Sequence, residues 1–258
     1  TARSVAISFD GRSRPSRLSR IGCSRGIAES EPKMTEKKPG ARASLRLMPP
    51  CGTVTSATGS AGGRLRTKLV SAERSLISCP ICIDSSTPEA LEAAVPLAGG
   101  RVLINSVTAE QHSRDRLLPL VAAHGAAVIG MANDESGISM DPDERFAAAA
   151  KVVENAERHG IAREDVIIDP LAMPIGAAPD AGTAMIATMR KIRAELGVNL
   201  SCGASNISFG MPGRHEIDAA FLTLMIGAGM NTAITNPLHR PVKKAILAAD
   251  LLLGHDEY

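Results

Sequence analysis

From residue 79 onward, short apolar runs alternate with longer stretches that have the apolar spacing of helices. Six runs are predicted to be strands: CPICID (79–84), RVLINS (101–106), AAVIGMA (126–132), DVIIDP (165–170), VNLSCGASN (198–206, a strand running into a loop) and TAITNP (232–237). Each precedes a predicted helix with ordinary start and stop signals. One such helix has Asp141 as its cap, Pro142 at its first position and Gly160 at its end. The alternation predicts a parallel α/β fold with six strand–helix units.

Length and charge narrow the class of protein further. The 258 residues are typical of one α/β barrel, and no apolar run approaches the roughly 18 residues of a membrane span. Residues 75–258 contain 14 Lys and Arg against 22 Asp and Glu, which argues against nucleic acid as the partner. Five cysteines, an odd number, do not predict a disulfide framework, so we expect a cytoplasmic protein.

The first part of the chain has a different composition. Residues 1–74 contain 15 Lys and Arg against 5 Asp and Glu, with 11 Ser and 11 Arg, and only RSVAISF (3–9) has the composition of a strand. Three interpretations are open: a disordered basic arm, a transit peptide over the first 28 residues, or a segment not native to the fold, such as a shifted reading frame produces. We therefore predict an irregular segment at 1–75 and a barrel domain at 76–258, without recognisable first and second strand–helix units.

Polar side chains follow each predicted strand where it ends. Carboxylates or carboxamides stand at all six ends: Asp84, Asn105, Asn133-Asp134-Glu135, Asp169, Ser205-Asn206 and Asn236. Because parallel strands bring their carboxyl ends to one edge, these groups are expected to line one site. There is no zinc-ligand spacing and no GxxxxGK[ST] phosphate loop. Carboxylates and amides suit a planar ligand with N–H donors and C=O acceptors, and a pterin ring has such an edge. Any one of these residues alone is also an ordinary turn or cap residue.

Two further features are interpreted as structural. In Cys79-Pro-Ile-Cys82 the cysteines are three residues apart in a strand, so their thiols would point to opposite faces. Arg214 and His239 follow strand ends in loops, where solvent exposure is the ordinary outcome, although both could reach an anionic ligand or a partner.

Six blocks of sequence at the strand ends resemble the methyltetrahydrofolate:corrinoid methyltransferases and are similar to the folate module of cobalamin-dependent methionine synthase. The blocks are CIDSSTPEALEA (82–93), INS (104–106), AAVIGMANDESG (126–137), IIDPL (167–171), GASNISFGMPGR (203–214) and AGMNTAITNP (228–237). The resemblance extends over about residues 76–258. It implies a pterin-binding (β/α)₈ TIM barrel that moves the N5-methyl of methyltetrahydrofolate to the cobalt of a corrinoid protein.

The resemblance also assigns roles to residues. It implies that Asp84, Asn105 and Asp169 bind the pterin ring, that Ser205 contributes to the site, and that Asn206 lies beside N5. Further residues to which it extends the site are Asp134, Arg214 and Asn236. Members of the family are usually homodimers without a metal of their own, and the cobalamin is carried by a separate protein or domain.

Two alternatives to the methyltransferase remain. Dihydropteroate synthase uses the same barrel and a pterin, but it needs Lys and Arg near the last strands, where this chain has GASNISFG (203–210). The non-enzymatic alternative is a degenerate pterin-fold protein without catalytic activity.

Overall fold

The computed structural model describes residues 81–255 in full and, before them, only the backbone of residues 5–8 and 53–55. The strands in this part of the chain are β1 (Val5–Ser8), β2 (Thr53–Thr55), β3 (Cys82–Asp84), β4 (Leu103–Thr108), β5 (Ala127–Met131), β6 (Val166–Asp169), β7 (Asn199–Leu200) and β8 (Thr232–Thr235). The helices are α1 (Pro88–Ala94), α2 (Gln111–Ala123), α3 (Pro142–Arg158), α4 (Ala181–Glu195), α5 (Arg214–Gly227) and α6 (Arg240–Leu252). All six predicted strand–helix units are confirmed.

The strands form a parallel sheet in chain order. β2 through β7 pair in sequence, each parallel to the next, and a single parallel bridge from Gly203 to Ile234 continues the order to β8. β1 pairs antiparallel with β8. The parallel α/β prediction is therefore confirmed for the six predicted strands.

The strand β2 was not predicted. Its three residues, Thr53 to Thr55, pair in parallel with β3, on the side where a complete barrel has its preceding strand. Three residues are too few to produce a detectable period, so composition alone dominated the interpretation of this segment. The strand β1 falls within the predicted run 3–9. Most of residues 1–80 lie outside the described residues, so the division at residue 75 stays a prediction.

Helix α3 shows how local sequence signals start a helix and how the helix packs on the sheet. Asp141 caps it by accepting a hydrogen bond from the backbone N–H of Asp143, at 2.7 Å, and Pro142 starts it, as predicted. The helix packs closely on β5: a Cβ at Gly130 would lie 2.5 Å from Cγ1 of Val152. Such close packing leaves no room for a side chain at residue 130.

The core between sheet and helices is aliphatic. Ile104, Val128 and Ile168 are fully buried on successive strands, and Met185, Met189 and Ile192 are fully buried on α4. Within the described ranges, no helix has the length and apolar character needed to cross a membrane.

Candidate active site

Asp169, at the carboxyl end of β6, is the most completely buried of the predicted site carboxylates, with 9% of its surface exposed. Its Oδ1 accepts a hydrogen bond from the N–H of Leu171 at 2.8 Å, and its Oδ2 accepts one from the N–H of Gly203 at 3.2 Å. Burial raises the pKa of Asp169 to about 6, against the opposing effects of the two N–H donors and of the Arg145 charge. A carboxylate offers about four lone pairs, so two remain for a ligand.

The chain turns sharply after Asp169. Leu171 has φ 68°, in the left-handed region that side chains other than glycine rarely adopt. Its N–H is held by the Asp169 carboxylate two residues earlier, and Leu171 itself is buried. Strained backbone of this kind persists where surrounding contacts enforce it, and it is concentrated at functional sites.

Asp84 and Asn105 form a second pair at the same edge. They are direct partners in the register of β3 and β4. Burial raises the pKa of Asp84, and a hydrogen bond between its carboxylate and the Asn105 side chain opposes the rise. The structure thus brings together a carboxylate and a carboxamide that the sequence analysis assigned to the same ring edge.

Asn206 ends a short 3₁₀ turn, Ala204–Asn206, that follows β7. Its side chain is exposed, and none of the hydrogen bonds within residues 81–255 uses its carboxamide. The amide lies against Gly203, where a Cβ would be 3.0 Å from Nδ2 of Asn206. Gly203 therefore has two tasks that sequence reasoning missed: its N–H binds Asp169, and its missing side chain leaves room for the Asn206 amide.

Arg214 stabilises the loop that carries Asn206. It is the first residue of α5, and its guanidinium donates to Oγ of Ser208 at 3.1 Å and to the carbonyl oxygen of Ser205 at 2.7 Å. Ser205 thus takes part in this loop through its backbone carbonyl oxygen, which accepts the hydrogen bond from Arg214.

Asp134 and Asn236 are held by their own neighbours. Oδ1 of Asp134 accepts from both the N–H and the hydroxyl of Ser136, and Oδ2 lies 3.4 Å from Nζ of Lys151. Oδ1 of Asn236 accepts from the N–H of Leu238, and its Nδ2 lies 3.1 Å from Nε2 of His239. These contacts support loop-forming roles for both.

The structure adds one residue that the sequence analysis did not consider. Arg145, in the first turn of α3, is 1% exposed and lines a cavity together with Ala132 and Asn133, which follow β5. A signal was present, because Arg145 stands three and four residues before the buried Ala148 and Ala149, on the face that packs against the sheet. Within residues 81–255, no group of three or more His, Cys, Asp or Glu is placed to hold a metal ion.

This sheet order, with carboxylates and amides at the carboxyl edge, is the arrangement of a pterin-binding barrel. Residues 64–236 match the family described as pterin binding enzyme, and the chain belongs to that family. It is 34% identical over 183 residues to the methylcorrinoid:tetrahydrofolate methyltransferase of Eubacterium limosum, covering 70% of this chain and 68% of that protein.

A second kind of relative is much longer. The chain is 30% identical over 192 residues to the methionine synthase of Mycobacterium tuberculosis, which covers 67% of this chain but only 16% of that protein. The chain therefore spans about a sixth of the methionine synthases that it matches. Together these matches confirm the predicted resemblance.

Solved structures confirm the predicted barrel class. The fold is similar to dihydropteroate synthase from Coxiella burnetii in complex with pteroic acid, with a TM-score of 0.60, 16% identity and 78% of each chain covered. It is equally similar to dihydropteroate synthase from Stenotrophomonas maltophilia, with a TM-score of 0.61, 20% identity, and 78% of this chain and 80% of that chain covered. At these identities the likeness concerns the fold alone.

Proposed function

We propose that this protein is a methyltransferase that moves the N5-methyl of methyltetrahydrofolate to the cobalt of a corrinoid protein. The observation that carries the proposal is the buried Asp169 carboxylate, which keeps two lone pairs beyond its bonds to Leu171 and Gly203. Such a group is suited to the amino and N–H donors of a pterin ring. The pair of Asp84 and Asn105 supplies a second acceptor and an amide that both donates and accepts.

The chemistry requires help at N5. A methyl group on a tertiary amine is a poor electrophile, because the nitrogen would leave as an anion. The C–N5 bond breaks with its electron pair returning to N5, which must gain a proton or a strong hydrogen bond. The reduced corrinoid of the partner supplies the electron pair that accepts the methyl. In our proposal Asn206 stabilises N5 as its charge changes, and the ring-binding residues hold the methyl in line.

The direction of transfer depends on which substrates are supplied. The name of the Eubacterium limosum relative describes transfer from a methylcorrinoid to tetrahydrofolate. A site that stabilises the transition state does so for both directions, because the forward and reverse reactions share it. We therefore expect the protein to catalyse both transfers.

The test is an assay with three outcomes. The full chain is mixed with methyltetrahydrofolate and cob(I)alamin, and loss of the cob(I)alamin absorbance is followed; methyl transfer is the expected result. Formation of dihydropteroate from a dihydropterin pyrophosphate and p-aminobenzoate would establish the synthase alternative. Absence of both reactions and of folate binding would establish the degenerate alternative, a pterin-fold protein that binds nothing or only a corrinoid partner.

The proposed corrinoid partner needs a docking surface at the carboxyl edge of the sheet, where the predicted site residues lie. Three large apolar side chains in the loops after β5, β7 and β8 are well exposed: Ile138 at 51%, Phe209 at 67% and Leu238 at 78%. Because the cobalt must approach N5, the partner has to cover this edge. Exposed apolar groups surrounded by polar ones are common in such interfaces.

Serine at both Ile138 and Leu238 is expected to raise the KM for a corrinoid protein by about tenfold or more, since apolar anchors carry much of the energy of an interface. The rate with free cob(I)alamin should not change, because neither side chain is assigned to the folate site. Steady-state kinetics with both acceptors checks this. Leu97→Ser, at an exposed leucine that follows α1, is the control, and an unchanged KM in the double variant would contradict the docking surface.

We further propose that the protein is a cytoplasmic homodimer that associates through α5 and α6. The two helices pack against each other and leave four leucines exposed: Leu224, Leu247, Leu251 and Leu252. Exposed apolar side chains on neighbouring helices often mark a protein–protein interface. The odd number of cysteines and the buried thiol of Cys202 support a reducing compartment.

Leu252→Glu is expected to convert the dimer to a monomer, because a charge cannot be buried unpaired in an apolar interface. Sedimentation velocity of the wild type, of Leu252→Glu and of Leu238→Glu, the last as control, measures this. A wild-type protein that sediments as a monomer would contradict the dimer.

A further inference from the structure

Arg145 is a buried cation, and none of its direct contacts within residues 81–255 is a carboxylate. Its Nε donates to the carbonyl oxygen of Ser139, while Nη1 lies 3.8 Å from Sδ of Met185 and Nη2 lies 3.3 Å from Sδ of Met140. Thioether sulfurs are weak acceptors and do not compensate a buried charge. A guanidinium with 1% exposure in such surroundings requires a negative charge nearby.

The charge that acts on it is that of Asp169, with Asp180 as the second contributor. Arg145 lines the same cavity as Ala132, and the N–H of Ala132 donates to the carbonyl oxygen of Asp169 at 2.9 Å. Burial lowers the pKa of Arg145, and the charges of these two carboxylates oppose the change. Arg145 in turn lowers the pKa of Asp169 against the larger effect of burial. Within residues 81–255, the other titratable group beside Asp169 is Cys202, which follows β7, and burial raises the pKa of its thiol, so the thiol stays neutral.

The arrangement differs from a direct ion pair in one respect that matters for binding. An arginine in contact with Asp169 would occupy the two lone pairs that remain after the bonds to Leu171 and Gly203. At its observed position Arg145 supplies charge without using those lone pairs, because its direct contacts are Ser139, Met140 and Met185. The charge interaction acts across the interior, where screening by water is weak.

We propose that Arg145 is a positioning residue for the substrate site: its buried charge keeps the Asp169 carboxylate ionised while leaving its oxygens available to the ligand. The proposal rests on the proposed function, because it assigns Asp169 to the donor edge of a pterin. Protonated Asp169 would present a hydroxyl to the ring's N–H donors and bind poorly. Arg145 would then act on affinity through the ionisation of another residue and without touching the ligand.

The experiment measures Asp169 directly. The full chain, labelled with ¹³C at the aspartate carboxyl carbons, is titrated without ligand, and the Asp169 signal is assigned with Asp169→Asn. The wild-type midpoint is expected at about 6. Arg145→Met, matched to the neighbouring methionines, and Arg145→Gln, which keeps a donor for Ser139, should each raise the midpoint by about one unit or more. Arg145→Lys, which keeps the charge, should leave the midpoint within about half a unit.

Binding provides the second measurement. If the midpoint rises by one unit, Arg145→Met should weaken methyltetrahydrofolate binding by about tenfold at pH 5 and about twofold at pH 7, and the loss should disappear at pH 9. A loss that persists at pH 9, or a midpoint unmoved in Arg145→Met and Arg145→Gln, would overturn the proposal.

The two proposals fail in distinguishable ways. If the protein does not bind methyltetrahydrofolate, the proposed function fails, while the ligand-free titration still decides whether Arg145 controls the charge of Asp169. If both charge-free variants fail to fold while Arg145→Lys folds, the charge serves the fold and the positioning role is overturned.

Discussion

Replacing Asn206 with alanine is expected to lower the single-turnover rate of methyl transfer by about 10²–10³-fold, the range found when one donor to a developing charge is removed. Folate affinity should change by no more than about threefold, because the interaction strengthens only as N5 changes its charge. The position of the side chain supports this separation: the carboxamide is exposed at the rim and is not used by the hydrogen bonds of the described part. Rapid-mixing kinetics with cob(I)alamin, beside folate binding by fluorescence, measures both quantities.

Two further variants refine that experiment. Gly203→Ala keeps the amide but places a methyl group 3.0 Å from Nδ2 of Asn206, so a smaller loss of rate is expected. Asn155→Ala removes an asparagine of α3 whose Nδ2 donates to the carbonyl oxygen of Lys151, and it should not affect the rate. Equal losses of rate and affinity in Asn206→Ala would mean that Asn206 is an ordinary binding contact. No loss in either would place it outside the site.

Replacing Asp169 with asparagine is expected to weaken methyltetrahydrofolate binding by about 1.5–3 kcal/mol, the usual value of a hydrogen bond to a charged group. The amide keeps the shape of the carboxylate but directs an NH₂ group toward donors. Calorimetry measures the affinity, and circular dichroism verifies the fold. Asp134→Asn makes the same chemical change at a carboxylate engaged by Ser136 and Lys151, and it should bind folate normally. Unchanged affinity in Asp169→Asn would make Asp169 a turn residue.

The pH dependence of the same pair of proteins gives an independent result. Wild-type affinity should rise with pH through about 6 as Asp169 ionises, and the rise should be absent in Asp169→Asn.

The free energy of unfolding should change in the opposite direction and fall as the pH rises. The folded pKa lies above the ordinary value of 3.8, so the protonated form is favoured by folding. Relative to Asp169→Asn, the wild type should lose about 2 kcal/mol of unfolding free energy between pH 4 and pH 6. Urea unfolding of both proteins across this range measures the difference.

The sequence predicted most of the sheet and its polar edge because both depend on local patterns. Apolar runs bounded by helix signals located β3 to β8, and the residue after each run identified Asp84, Asn105 and Asp169. Their mutual placement follows from the parallel register, which brings the strand ends to one edge. No pattern of this kind exists for β2, whose three residues can be recognised as a strand only because they pair with β3.

The remaining features depend on contacts between distant parts of the chain. Arg145 follows Asp143 and Glu144 at a helix start, a setting typical of exposed charge, and its burial results from the close packing of α3 on β5. The role of Gly203 likewise requires Asp169, 34 residues earlier, to reach its N–H. Spacing within α3 places Arg145 on the packed face of the helix, but it cannot reveal that Arg145 or Gly203 acts on Asp169.

The hydrogen bond between Gly203 and Asp169 joins two parts of the site that the proposed chemistry keeps separate. In that proposal Asp169 faces the ring, and Gly203 supports the turn on which Asn206 lies. A substitution that adapts Asp169 to a different pterin would also release the base of that turn and move the Asn206 amide. We therefore expect substitutions at Asp169 to change ligand preference and turnover rate together. A variant selected for a new ring should recover its rate only through a second change in residues 203–206.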